Sequence, residues 1–149
     1  MNKIFVVFIT LLFESSCYYH NTDPKSVLDI TLYDKPVPII KLYLAGKWKL
    51  IYSVGGFSGG DRINYDNTYF EFDFQADDTF KRTDNGKVTV DSVITWKKYS
   101  SANDSSYFID YTLPNGVPLG FYPKGIQNGG LILVDPCCDG YTHYLMRSN

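Results

Sequence analysis

The sequence predicts an all-β protein: an antiparallel up-and-down barrel of eight strands, with a short helix or none. Three observations carry that expectation. Asn67 to Gln75 (NTYFEFDFQ) alternates Phe70, Phe72 and Phe74 with Tyr69, Glu71, Asp73 and Gln75, a period of two that a half-buried strand produces and a helix does not. Turn signals such as Asp84-Asn85-Gly86 and Pro114-Asn115-Gly116 punctuate the chain at short intervals. The segments between them leave no space for helices of about ten residues, so βαβ crossovers are excluded and neighbouring strands must run antiparallel. Composition agrees, because thirteen Tyr, ten Phe and two Trp in 149 residues suit half-buried pleated surfaces. A chain of this length makes one domain that hides roughly two thirds of its unfolded surface.

Taken in order, the chain opens with one positive charge in Met1-Asn2-Lys3, followed by the uncharged run Ile4 to Phe13. Crossing a bilayer takes about twenty residues, so this run is too short to span and suits the core of a signal peptide. Glu14-Ser15-Ser16-Cys17 then resembles the cleavage site of a bacterial lipoprotein, in which small residues precede a cysteine that becomes the lipidated first residue. The aliphatic residue usual three places before that cysteine is Glu14 here, and Phe13 stands one step earlier. An ordinary secretory signal cleaved near the same place is the alternative. The expected organisation is therefore a signal peptide over residues 1–16, lipidated Cys17 with a tether over 17–37, and a barrel domain over 38–149. That places the protein in a bacterial cell envelope, anchored to a membrane through the N-terminal lipid and facing the outer membrane or periplasm, or secreted if no lipid is added. Within the tether, Val27 to Tyr33 could instead pair as a short edge strand. Pro38 is suited to open a brief helix over Ile39 to Ala45, with Gly46 closing it.

From Gly46 the period becomes two. Trp48, Leu50, Tyr52 and Val54 share one face, and Lys47, Lys49 and Ser53 take the other. A long loop, Gly55 to Asp66, follows; then come the Phe-rich strand, a strand at Thr79 to Thr83, and a long one over Lys87 to Tyr99 rich in Val, Ile and Thr. Ser106 to Leu113, Val117 to Tyr122, Gly130 to Asp135 and Tyr141 to Arg147 complete the eight. Eight meandering strands can close on themselves and abolish their edges. The interior of such a barrel is filled by side chains or holds one small ligand. A two-sheet sandwich accounts for the same strand count.

The chemistry-bearing residues are few. "SVGGFSGGD" (53 to 61) lacks the Lys and Ser or Thr of a phosphate loop, has Asp61 where phosphate would be repelled, and precedes no helix, so its glycines serve the backbone of a loop. Cys137 and Cys138 are adjacent, forming either a vicinal disulfide or two free thiols; without clustered histidines they make poor zinc spacing, and no metal is expected. His20 falls in the tether and His143 stands alone on the last strand. Nothing resembling G-x-S-x-G surrounds a serine, and Glu71 with Asp73 reads as the solvated face of a strand ahead of a carboxylate pair. No catalytic residue and no cofactor are expected. The balance of 14 basic and 16 acidic residues, net −2, offers no field for nucleic acid.

Gly46-Lys47-Trp48 at the start of the first strand and Arg147 at the end of the last resemble the lipocalins and their smaller bacterial lipocalin-like relatives. In that arrangement the arginine lies across the tryptophan, and a guanidinium over an indole face contributes about 0.5–2 kcal/mol. "CCDGYTHYLMR" and the double-glycine loop also look like the small secreted lipoproteins of that kind. The resemblance spans roughly residues 40 to 149. It departs from the lipocalins in lacking a T-D-Y loop motif, Ile109-Asp110-Tyr111 lying inside a strand, and in ending without a flanking C-terminal helix. It implies a monomeric barrel whose first loop acts as a lid, with structural roles for Gly46, Trp48, Arg147, Cys137 and Cys138. From the strand alternation, Trp48, Leu50, Tyr52, Phe70, Phe72 and Phe74, with Tyr107, Ile109 and Tyr111 from a later strand, are expected to face the barrel interior, either as plain core or as the wall of a pocket for a small apolar or amphipathic ligand. The alternative is a filled barrel that grips a protein or glycan through its loops.

Overall fold

The computed structural model describes residues 29–101, 104–137 and 139–148. The signal segment 1–16, Cys17, the tether as far as residue 28 and Cys138 lie outside the described residues. The elements run β1 (Ile30–Thr31), α1 (Val37–Leu44), β2 (Gly46–Gly55), β3 (Asp61–Asn64), β4 (Phe70–Phe74) and β5 (Thr79–Asp84). They continue with β6 (Lys87–Val93), β7 (Thr95–Ser101), β8 (Asp104–Thr112), β9 (Pro118–Gln127), β10 (Gly130–Val134) and β11 (Tyr141–Arg147). Every strand pair is antiparallel. Nine strands form one path, β6-β5-β4-β2-β11-β10-β9-β8-β7, while β1 pairs with β9 and β3 with β2.

The expected closed barrel of eight strands is therefore corrected to an open, curled half-barrel. The cause lies in Lys87 to Tyr99, which is not one strand. It bends at Ile94, so that Val93 pairs with Thr79 on β5 while Thr95 pairs with Asp110 on β8. Val93-Ile94-Thr95 has none of the turn residues that let a chain reverse, so β6 and β7 diverge from the bend instead of pairing. Ile94 is buried, and its N–H donates to the Asp78 carbonyl at 2.7 Å, which fixes the bend. The first and last long strands, where a barrel seam is usually sought, sit mid-sheet: β2 and β11 pair from Gly55↔Tyr141 to Trp48↔Arg147.

Two further expectations change. The register between β2 and β11 slips at Ile51, since Tyr52 opposes Tyr144 but Leu50 opposes Leu145. This bulge inserts one residue and flips the alternation after it. Trp48, Leu50 and Ser53 are buried, and Tyr52 turns outward, stacked on Tyr144 at 4.4 Å with the Arg62 guanidinium 3.8 Å over its ring. The loop expected over Gly55 to Asp66 contains β3, which folds back on β2 as a hairpin. Ahead of α1 the chain takes up the short edge pairing offered for Val27 to Tyr33. Ile30 and Thr31 pair with Ile126 and Gly125, on the edge of β9 beyond its pairing with β8, and Leu32 is wholly buried.

α1 begins with Pro38 in its first turn and buries Ile40 and Leu44. It covers the end of the sheet where β2 starts and β11 finishes. Lys41 pairs there with Asp78 at 2.5 Å, and Asp78 also accepts from the Trp96 indole at 2.9 Å. Above this end the core is aromatic. Phe80 touches Phe72, Phe74 and Tyr111 at ring separations of 5.9, 5.0 and 4.7 Å, and Phe121 joins Phe72 and Tyr111.

Candidate functional site

The end of the sheet away from α1 is not filled. A cavity of about 590 Å³ lies there, walled by Leu50 of β2, Tyr65, Phe70 and Phe72 of β4, Tyr111 of β8 and Phe121 of β9. Its polar fringe comprises Arg82, Asp110, Asp135, Cys137 and His143. A volume of this size with few polar groups matches small-molecule sites, which span about 300–1,000 Å³. Four of the nine residues expected to meet a ligand line it: Leu50, Phe70, Phe72 and Tyr111. Trp48, Phe74 and Ile109 are buried in the core outside its wall, and Tyr107 packs half-buried against that core. Tyr52 is on the opposite face of the sheet for the reason given above.

The bulge that expels Tyr52 brings Ser53 inward, and with it a chain of polar groups that sequence reading missed. Ser53 Oγ lies 2.7 Å from His143 Nδ1 and 3.3 Å from the Tyr65 hydroxyl, and His143 Nε2 lies 3.0 Å from Asp135 Oδ1. Burial pushes the Asp135 carboxyl up, but hydrogen bonds from His143 and from the Tyr141 N–H outweigh it and hold the group below its ordinary value. An ionised carboxylate only accepts, so Nε2 donates its proton to Asp135, and the Ser53 hydroxyl bridges Nδ1 and the Tyr65 hydroxyl. A serine, a histidine and an aspartate in line invite a nucleophilic reading. Ser53 is 0 % exposed and is no part of the cavity wall, so its hydroxyl offers no surface to a substrate. The relay instead fixes the His143 ring, which meets Phe121 edge-on at 5.5 Å. The available sequence signal was His143 and Asp135 flanking one turn; the serine depended on the bulge.

The remaining charges at the cavity are paired. Arg82 donates to both oxygens of Asp84, at 2.7 and 3.0 Å, and its guanidinium lies 5.1 Å from the Phe70 ring centre. Asp110 is paired with Lys97. Glu71, away from the cavity, accepts from Tyr69, Ser148 and Lys47. Burial raises its carboxyl, and those three donors together bring it below its usual value. Asp73 accepts from Gln75, so the two carboxylates have separate structural partners.

Backbone approach explains the first glycine of the loop. Gly55 has φ +151°, and a Cβ there would sit 2.4 Å from the Gly140 carbonyl oxygen. Cys137 lies exposed on the neighbouring Asp135–Gly140 turn, without a disulfide partner among the described residues. Among those residues no group of three or more His, Cys, Asp or Glu is placed to hold a metal, and no helix is long and apolar enough to cross a membrane.

At the end covered by α1, Arg147 lies 3.9 Å over the Trp48 ring. Its guanidinium donates to the carbonyls of Ala45 and Tyr43 at 2.5 and 3.1 Å, and the Trp48 indole donates to Leu44 at 2.7 Å. Together they satisfy carbonyls at the end of α1 that would otherwise lack partners. Gly46 has φ +110°, and a Cβ on it would meet Arg147 Nη1 at 2.4 Å, so a side chain there would obstruct the arginine's path. No protein-family model, curated protein or solved structure matches this chain.

Proposed function

We propose that this protein is a lipocalin-like carrier or sensor, binding one small apolar or amphipathic molecule in the half-barrel and catalysing no reaction on it. The observation that carries the reading is the 590 Å³ cavity beside a fully packed aromatic core, with rings for walls and a few polar groups at its fringe. The Gly46-Lys47-Trp48 and Arg147 arrangement supports the family resemblance, and the segment ending at Cys17 supports export and lipid anchoring to the cell envelope. The test is titration with a neutral fluorescent probe, N-phenyl-1-naphthylamine. Saturable uptake at one probe per protein, displaced by other apolar molecules, is the expected result. Absence of saturable uptake by folded protein would overturn the reading and favour a module that binds a partner through its loops.

A further inference from the structure

The polar groups around the cavity differ in what they have left to offer. Asp135 accepts from His143 and Tyr141, Asp110 is neutralised by Lys97, and Arg82 is held by Asp84. His143 uses both ring nitrogens, on Ser53 and Asp135. Cys137 is exposed at the rim, and among the buried groups of the lining Tyr111 is the exception. The residue has 2 % relative exposure, yet its hydroxyl makes no hydrogen bond among the described residues. Among those residues no fully buried side-chain oxygen or nitrogen lacks a partner, so the little surface Tyr111 retains includes its oxygen, and the surface it lines is the cavity. A phenol left without a partner in an aromatic enclosure is costly unless something in the enclosure accepts its proton.

We infer that the ligand is a neutral molecule with an apolar ring system and one oxygen acceptor, a ketone, ester or quinone carbonyl, which takes a hydrogen bond from the Tyr111 hydroxyl. This rests on the proposed binding reading and narrows its ligand class. Neutrality follows from the surrounding charges: Arg82 is taken up by Asp84 and Asp110 by Lys97, and a further carboxylate, Asp135, stands at the cavity fringe. A ligand carboxylate would enter beside Asp135 with no unpaired Lys or Arg among the described lining residues to receive it. Burial pushes the Tyr111 phenol up to about 12, so it keeps its proton and acts as a donor throughout the neutral range.

The test displaces N-phenyl-1-naphthylamine with three molecules of one skeleton at pH 7.5: 2-acetylnaphthalene, 2-ethylnaphthalene and 2-naphthoate. The acetyl compound should bind roughly fivefold tighter than the ethyl compound, the range of one net hydrogen bond, and naphthoate should bind weakest. Tyr111→Phe keeps the ring and should erase the acetyl preference while leaving ethylnaphthalene affinity within about twofold; an unchanged melting profile verifies its fold. Naphthoate equalling the acetyl compound, or an acetyl preference that survives in Tyr111→Phe, would overturn the inference. So would probe uptake with displacement by none of the three, and in all these cases the cavity remains a binding site. Failure of the probe itself to bind overturns the underlying reading as well.

Discussion

The two ends of the curled sheet share strands but solve opposite problems. At the α1 end, Trp48, Leu44, Ile40, Phe74 and Phe80 are all buried, and the helix's last carbonyls are taken up by an indole and a guanidinium. At the far end the same strands diverge around a cavity, the four residues of β3 are all exposed, and Phe57 stands 94 % exposed on the glycine loop. The difference teaches that stability and vacancy have been assigned to separate ends. Packing at one end lets the other keep space that an evenly filled core would close.

That division can be broken or sharpened by experiment. The largest effect belongs to the packed end: Trp48→Ala should destabilise the fold by about 3–5 kcal/mol in denaturant unfolding, through lost burial and the cavity left behind. A loss below about 1 kcal/mol would place the stabilising core elsewhere. The boundary between the ends should respond to alkali. Burial raises the Tyr111 phenol from 10.0 to about 12, so the unfolded chain ionises there first. Its contribution is complete below about pH 10 and is lost as pH rises through about 12. The loss amounts to roughly 2–3 kcal/mol, at about 1.4 kcal/mol per pH unit. Comparing Tyr111→Phe with the parent chain between pH 9 and 12 isolates it; equal losses in both would refute the burial effect. The smallest effect belongs to the open rim, where Phe57→Ser should change stability by less than about 0.5 kcal/mol. A larger loss would mean that the loop braces the body.

Local features were legible in the sequence. The alternation in NTYFEFDFQ gives β4, Asn85-Gly86 gives the turn between β5 and β6, and Pro38 marks the start of α1. Trp48 and Arg147, linked on the sequence by family resemblance, are in contact. What escaped depended on partners distant in the chain. The bulge at Ile51 exists only relative to β11, so Tyr52 and Ser53 exchanged faces without any local sign. The split at Ile94 shows only when β5 and β8 claim different halves of one Val- and Ile-rich run. The Ser53–His143–Asp135 relay needed both the bulge and the β2–β11 register, which explains why His143 looked isolated.

That central pairing bears on how the molecule assembles. Arg147 contacts Ala45 from 102 positions away in sequence, and β11, the last of the described strands in chain order, joins the two halves of the sheet. Each half can form hairpins early, but neither gains its middle neighbour until β2 and β11, far apart in sequence, meet, so acquisition of the native state is slow. A chain truncated just before β11 would hold two unjoined half-sheets with raw inner edges, a species prone to aggregate rather than a smaller version of the same protein.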